Sequence, residues 1–60
     1  MSRQTFTLIR DTRRYLFVVE GSTVRIKLFD QGWCRSERTR TKPEAREEYG
    51  RLLRSGWQPW

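Results

Sequence analysis

One segment in the last third of the chain carries both the start and the stop signals of a helix. Thr41 is a good N-cap residue, because its hydroxyl can accept a hydrogen bond from a free backbone N–H of the first turn. Glu44 stands three residues later and completes a capping box. At the other end, Gly56 can adopt the left-handed backbone that terminates a helix, and Trp57 can fold back on the last turn. The sequence therefore predicts one helix over about residues 42–55, with both ends defined.

Before Thr41 the apolar residues alternate with a period of two, as they do in β-strands. The predicted strands cover about residues 3–10, 14–20, 23–29 and, as a fourth candidate, 33–40. Short polar turns separate them, so consecutive strands should be antiparallel neighbours. The second strand is apolar on both sides, as central strands are, whereas the fourth is highly charged, as edge strands often are. Residues 58–60 are interpreted as a short tail.

This order of elements predicts an α+β fold in a single domain of residues 1–60. We expect a three- to four-stranded antiparallel meander, followed by one C-terminal helix packed on one sheet face. The predicted core residues are Phe6, Leu8, Val24, Ile26, Leu28, Ala45, Tyr49, Leu52, Leu53 and Trp57. A chain of this size buries only about 60% of the surface that its unfolded form exposes, so each large apolar residue should serve the core or a partner.

The charge balance is the clearest sequence signal about partners. The chain has 13 Lys and Arg residues against 7 Asp and Glu residues, a net charge of +6. Such a balance favours nucleic acid, an acidic protein surface or another anionic surface as partner. The alternative is that the charge only keeps a small domain soluble. No apolar run is long enough for a membrane span, the first residues lack the apolar core of a signal peptide, and the single Cys34 fits a reducing compartment. We therefore expect a cytoplasmic protein.

Little in the sequence favours catalysis or metal binding. The chain has no histidine, which is the most common general base and metal ligand. It has no glycine-rich phosphate loop and no nucleophile elbow. The carboxylates of Glu44, Glu47 and Glu48 are explained by favourable interaction with the helix dipole. Cys34 stands beside Arg35 and could be reactive, although an inert cysteine is the more common case. We expect a non-enzymatic protein without a metal ion or cofactor.

Basic residues concentrate on the third and fourth predicted strands. Arg25 and Lys27 share the outward side of the third strand. If the fourth strand pairs with the third, its arginines would join them in one basic patch, on the sheet face away from the helix or along its rim. Such a patch can neutralise the phosphates of DNA or RNA, and Trp33 could stack on a base. The predicted nucleic-acid-binding residues are Arg25, Lys27, Trp33, Arg35, Arg38 and Arg40. Against this hypothesis, Glu37 interrupts the patch, and charges on an edge strand also discourage unwanted pairing.

Tryptophans supply a second hypothesis. The chain has three of them, and tryptophan is enriched at the energetic centres of protein interfaces. An accessory protein-interaction module would dock on a larger complex through Trp33, Trp57 and Trp60, together with the basic patch. Trp57 also fits the core and Trp60 could fold back onto the domain, so both have a structural alternative. A sheet face left uncovered with Leu16 or Val18 exposed would favour a homodimer.

A short motif and the helix after it are similar to a known family. The motif is Gly32-Trp33-Cys34-Arg35 within a strand meander, and the helix carries Ala45 and Tyr49 four residues apart. In these features the chain resembles the WGR domain, although the signature order here is Gly-Trp-Cys-Arg rather than Trp-Gly-Arg. The resemblance implies a small sheet-plus-helix domain that contacts nucleic acid or protein, with Trp33 and Arg35 at the signature positions.

Two further likenesses concern the order of elements and the end of the helix. The sheet-then-helix order is similar to that of the plant ethylene-response DNA-binding domain, whose sheet reads the major groove. The Leu-Leu-x-x-Gly-Trp ending is similar to that of small uncharacterised cyanobacterial proteins. The first likeness implies recognition of DNA by a sheet, and the second implies an accessory role on a larger assembly.

Overall fold

Residues 4–60 form an antiparallel sheet that is covered on one face by a single helix. The computed structural model describes residues 4–60. The elements in chain order are β1 (Gln4–Arg10), β2 (Arg13–Glu20), β3 (Thr23–Asp30), β4 (Trp33–Thr41), α1 (Lys42–Arg54) and β5 (Gln58–Pro59). The strands lie in the order β4-β3-β2-β1-β5, and every neighbouring pair is antiparallel. The predicted α+β class is therefore confirmed. Arg3, which the sequence assigned to the first strand, lies outside the described residues.

The sheet has five strands rather than the predicted three or four. The additional strand, β5, consists of the residues that were expected to form a tail. Pro59 pairs with Leu8 and Gln58 pairs with Ile9, so β5 extends the sheet beyond β1. The backbone N–H of Trp60 donates a hydrogen bond to the carbonyl oxygen of Thr7 at 3.0 Å and continues this pairing. A strand of two residues is too short to show an alternating pattern, so the sequence carries no signal for it.

Both predicted helix ends are confirmed. The Thr41 hydroxyl accepts a hydrogen bond from the Glu44 backbone N–H, and the Glu44 carboxylate accepts one from the Thr41 backbone N–H at 3.1 Å. At the other end, Gly56 has a φ of 100°, which favours glycine. The Trp57 N–H donates to the Leu52 carbonyl at 3.1 Å, as in a Schellman motif. This turn directs the Trp57 side chain back into the core, where it is buried.

The core lies between the helix and the central strands. Its buried members are Leu8, Phe17, Val24, Ile26, Ala45 and Trp57, and the residues packed around them are Tyr15, Val19, Leu28, Tyr49 and Leu52. Two predicted core residues are wrong, since Phe6 and Leu53 expose 46% and 39% of their surface. The helix lies closest to β3 and β4, so it leaves Phe6 on the far strand β1 partly uncovered. The Tyr15 ring packs against the Trp57 ring with centroids 4.7 Å apart, and this contact closes the other end of the core.

Candidate nucleic-acid interface

No element of the described residues covers the face of the sheet opposite the helix, and we call it the open face. On β3, Val24 and Ile26 are buried beneath the helix. Because successive side chains of a strand point to opposite faces, Arg25 and Lys27 lie on the open face, as the sequence predicted. The registers of the neighbouring strands then determine which other side chains share this surface.

The predicted single basic patch is not formed, because the fourth strand turns two of its arginines the other way. Arg38 pairs with Ile26 and Arg40 pairs with Val24, which places both arginines on the helix side. Arg38 is held there by an ion pair with the Glu48 carboxylate of α1. These arginines therefore do not join the basic residues of β3.

A β-bulge is the cause of this reversal. Leu28 pairs with Ser36 and Phe29 pairs with Cys34, so Arg35 is an extra residue without an opposite partner. With no bulge, the two-residue turn between β3 and β4 would place Arg38 opposite Arg25 on the open face. One inserted residue moves every later side chain of β4 to the opposite face.

The two signature positions of the family resemblance lie at a corner of the sheet. Trp33 pairs with Asp30 at the first step of the β3–β4 hairpin and exposes 72% of its surface. Arg35 occupies the bulge and is exposed. Neither residue belongs to the cross-strand rows that contain Arg25 and Lys27. The structure therefore does not gather the six predicted site residues into one surface.

The two cations of β3 on the open face differ in their surroundings. The Nε of Arg25 lies 3.4 Å from a carboxylate oxygen of Glu20 and 3.6 Å from one of Glu37, so its charge is largely compensated. Lys27 is partly buried between β2 and β4. Glu37 pairs with Lys27 across the strands, but its carboxylate turns to Arg25, and no carboxylate of residues 4–60 lies within 4.0 Å of the Lys27 ammonium group. Lys27 is therefore the better anion ligand of the two.

A cation held between two aromatic rings lies on the same face. Arg14 of β2 pairs directly with Phe29 of β3, and its guanidinium carbon is 5.4 Å from the Phe29 ring centroid. The same carbon is 5.7 Å from the ring centroid of Trp60. Both distances fit cation–π contacts. Trp60 exposes 77% of its surface, so most of this ring remains available to a ligand.

These three side chains border an open depression of about 480 Å³ at the end of the sheet. Ile9 adds apolar surface to it, and Asp11 is the acidic group on its border. The depression thus combines exposed rings with positive charge. Arg14 is not among the six residues that the sequence predicted for nucleic-acid binding.

Sequence reasoning missed Phe29 as a site residue, and it gave Trp60 two alternatives, a protein interface or a position folded back onto the domain. The available signal was the pairing of β2 with β3, because a two-residue turn at Gly21 places Arg14 opposite Phe29. The contact of Trp60 with Arg14 depends on β5, for which the sequence carries no signal. Trp57 is buried, with 8% of its surface exposed, so it is not available to a partner as the protein-interaction hypothesis required.

No group of three or more His, Cys, Asp or Glu side chains in residues 4–60 could hold a metal ion. None of the helices in the described part of the chain is long and apolar enough to cross a membrane. Comparison of the chain with protein-family models, with curated proteins and with solved structures gave no match.

Proposed function

We propose that this protein is a small, non-enzymatic, cytoplasmic domain that binds nucleic acid through its open face. The observation that carries the proposal is the arrangement of Phe29, Arg14 and Trp60, with Lys27 in the next cross-strand row. Exposed aromatic rings and guanidinium planes stack on bases, and Lys and Arg side chains bind phosphates. The net charge of +6 supports the same proposal, because it attracts polyanions.

The stacking groups favour a single-stranded ligand. A base can lie on the Trp60 ring only when it is not already stacked within a duplex. The depression beside Arg14 is open to solvent, so an extended strand can cross the sheet without a narrow entrance. We therefore expect single-stranded DNA or RNA to bind more tightly than duplex of the same sequence. Phosphates would meet Lys27 and Arg14.

A salt titration tests the proposal. The affinity of the protein for fluorescein-labelled single strands of mixed sequence would be measured by anisotropy at several salt concentrations, with DNA, RNA and a DNA duplex compared. With about two phosphates neutralised, the logarithm of the affinity should fall with the logarithm of salt with a slope of about −1.4. No binding to any of these ligands at low salt would exclude nucleic acid as the partner.

The two lysines of the chain provide a matched control. Lys27 lies on the open face, whereas Lys42 begins the helix on the other side of the sheet. Lys27→Gln should weaken binding and reduce the salt slope by about 0.7, the contribution of one phosphate contact on a single strand. Lys42→Gln removes the same charge and should have a smaller effect. Equal losses would show that only net charge matters and would remove the open face as the site.

An exposed tryptophan supports a second candidate function. Trp33 projects from the β3–β4 hairpin with 72% of its surface exposed, as a protein-interface anchor would. On this hypothesis the protein is an accessory module that docks on a larger complex through Trp33, Trp60 and nearby basic residues. Capture of a partner by the immobilised protein should then resist nuclease treatment and be abolished by Trp33→Ala. Capture that nuclease abolishes would favour the nucleic-acid function instead.

A further inference from the structure

A groove runs between the first turns of α1 and the strands β1 and β2, on the sheet face that carries the helix. Its volume is about 350 Å³, within the range of small ligand sites. The apolar lining residues are Phe6, Phe17, Val19, Val24, Ala45 and Tyr49. The polar lining residues are Gln4, Lys42 and Arg46. The groove therefore has an apolar floor and a basic rim, and the sheet separates it from the open face.

The path of the helix over the sheet creates this groove. The helix lies closest to β3 and β4, so nothing in residues 4–60 fully covers the end of β1. Phe6 meets the helix in an edge-to-face contact with Tyr49, whose ring centroid is 6.1 Å away. Almost half of the Phe6 surface is exposed as a result. In a chain with so small a core, an exposed phenyl ring lowers the stability of the fold. An apolar ligand that covered the ring would offset this loss.

The strand beside the groove also has a free edge. β5 pairs with β1 only at Leu8 and Ile9, and Trp60 adds one hydrogen bond to the carbonyl of Thr7. Backbone groups of alternate residues point to the same edge of a strand, so the N–H and carbonyl of Thr5 point outward, as those of Thr7 do. No other described strand pairs with this part of β1. An extended peptide could add itself here as a further strand.

The basic rim defines the charge of the ligand. Lys42 and Arg46 are four residues apart on α1, and like charges at this spacing destabilise a helix. No carboxylate of residues 4–60 lies within 4.0 Å of either charged group. Glu44, the acidic residue between them, is engaged in the capping box with Thr41. A ligand carboxylate at the rim would relieve the repulsion between the two cations.

We propose that this groove binds a short, extended, acidic segment of a partner protein. An apolar side chain of the segment enters between Phe6 and Tyr49, and a carboxylate two residues along the same face meets Lys42 and Arg46. The backbone of the segment pairs with the free edge of β1 at Thr5. This site is independent of the open face, so the inference does not depend on the nucleic-acid function.

The direct test uses a synthetic peptide with the repeat Phe-Ser-Glu-Ser, which places Phe and Glu on the same face of an extended chain. Titration of the isotope-labelled full chain followed by NMR should give saturable shifts of the backbone amides in residues 4–6 and 42–49. Peptides with Lys in place of Glu, or with Ser in place of Phe, should bind more weakly. Shifts confined to the open face, no shifts, or equal binding of the Lys peptide would overturn the proposal.

Charge-neutral variants of the helix supply the matched control. The double variant Lys42→Gln with Arg46→Gln should weaken peptide binding about fivefold, as expected for two exposed ion pairs. The double variant Arg51→Gln with Arg54→Gln removes the same charge from the other end of α1 and should leave the affinity unchanged. Equal weakening by both variants would assign the effect to net charge and contradict the groove.

Two further measurements keep the result unambiguous. Phe6→Ser removes the exposed ring and should abolish the shifts at residues 4–6, while thermal unfolding verifies that the variant is folded. A single-stranded oligonucleotide added to the peptide complex should not displace the peptide, because the two sites lie on opposite faces of the sheet. Displacement with shifts of the groove amides would show that the basic rim binds phosphate and would overturn the peptide assignment.

Discussion

At the scale of single residues, two exposed tryptophans with similar exposure have different surroundings. Trp60 lies on the open face against Arg14, whereas Trp33 pairs with Asp30 at a hairpin corner. Their exposed fractions are 77% and 72%, so exposure alone does not distinguish them. The contact with Arg14, which also lies over the Phe29 ring, distinguishes Trp60 as the stacking candidate.

This difference gives a prediction about nucleic-acid affinity. Trp60→Ala should weaken the binding of single strands by about 1–3 kcal/mol, the contribution of one base stacked on an aromatic ring. Trp33→Ala should change it little, because its ring lies away from Arg14 and Lys27. Anisotropy titrations of both variants at one salt concentration provide the measurement. A loss of affinity in Trp33→Ala but not in Trp60→Ala would move the site to the hairpin corner.

Protonation of the Glu44 carboxylate should measurably lower the stability of the protein. A hydrogen bond from the Thr41 backbone N–H lowers the pKa of the Glu44 carboxyl below its usual 4.5, and the Thr41 hydroxyl and the charge of Arg40 lower it further. Because the pKa is lower in the folded state, the ionised carboxylate stabilises that state above about pH 4.5. This contribution is lost as the pH falls through the lowered pKa.

The prediction is therefore a pH-dependent difference between the wild type and Glu44→Gln. The wild type should unfold at the higher temperature at neutral pH, and the difference should shrink as the pH falls below about 4.5. Thermal unfolding followed by circular dichroism between about pH 7 and pH 2 measures it. Glu47→Gln is the control, since it removes a carboxylate from the same helix without disrupting the capping box. A difference that stays constant with pH would contradict this role of Glu44.

At the scale of elements, the capping box fixes the junction between β4 and α1, where no loop separates the strand from the helix. Thr41→Ala removes the hydroxyl that accepts the Glu44 N–H, and it should cost about 1 kcal/mol in the free energy of unfolding. In a domain of this size that loss lowers the melting temperature by about 4–8 °C. Thr39→Ala, an exposed threonine in mid-strand, should cost less. An equal loss of unfolding free energy in Thr41→Ala and Thr39→Ala would show that the capping box contributes nothing beyond the strand propensity of threonine.

Elements with their own local signals could be predicted from the sequence, and features that depend on pairing could not. The local signals for the two ends of α1 are Thr41, Glu44 and Gly56, so the helix could be predicted from one short segment. The outward position of Arg25 and Lys27 follows from alternation within one strand. The position of Arg38 depends on the bulge at Arg35, whose occurrence no local pattern marks. The site at Trp60 depends on β5, which is too short to have a pattern.

At the scale of the whole molecule, the sheet separates two surfaces of different character. The open face carries rings and cations without an apolar groove, and the helix face carries an apolar groove with a basic rim. If both proposals hold, the domain can bind a nucleic acid and a protein segment at the same time, because neither ligand covers the other's site. A domain of 60 residues could thereby recruit a protein to a nucleic acid.

The open face is also the surface through which a homodimer would form. Leu16 and Val18 lie on it and are half-buried, so a modest apolar area is available for pairing with a second copy. A two-fold axis through this face would bring Lys27 and Arg14 close to the same residues of the second copy. Like charges at such short range oppose association until salt screens them. Dimerisation through this face and binding of a nucleic acid should therefore exclude each other.

We therefore predict that salt has opposite effects on the two kinds of association: it favours the dimer and weakens nucleic-acid binding. We expect a monomer of 7.4 kDa at low salt, with any dimer appearing only as salt is raised, whereas nucleic-acid binding weakens over the same range. Sedimentation velocity at several salt concentrations measures the mass, and Leu16→Ser should reduce the dimer at high salt. Since a single strand would occupy the dimer surface, its addition at intermediate salt should dissociate the dimer. A dimer that persists at low salt, or that binds single strands without dissociating, would place the self-association on a different surface.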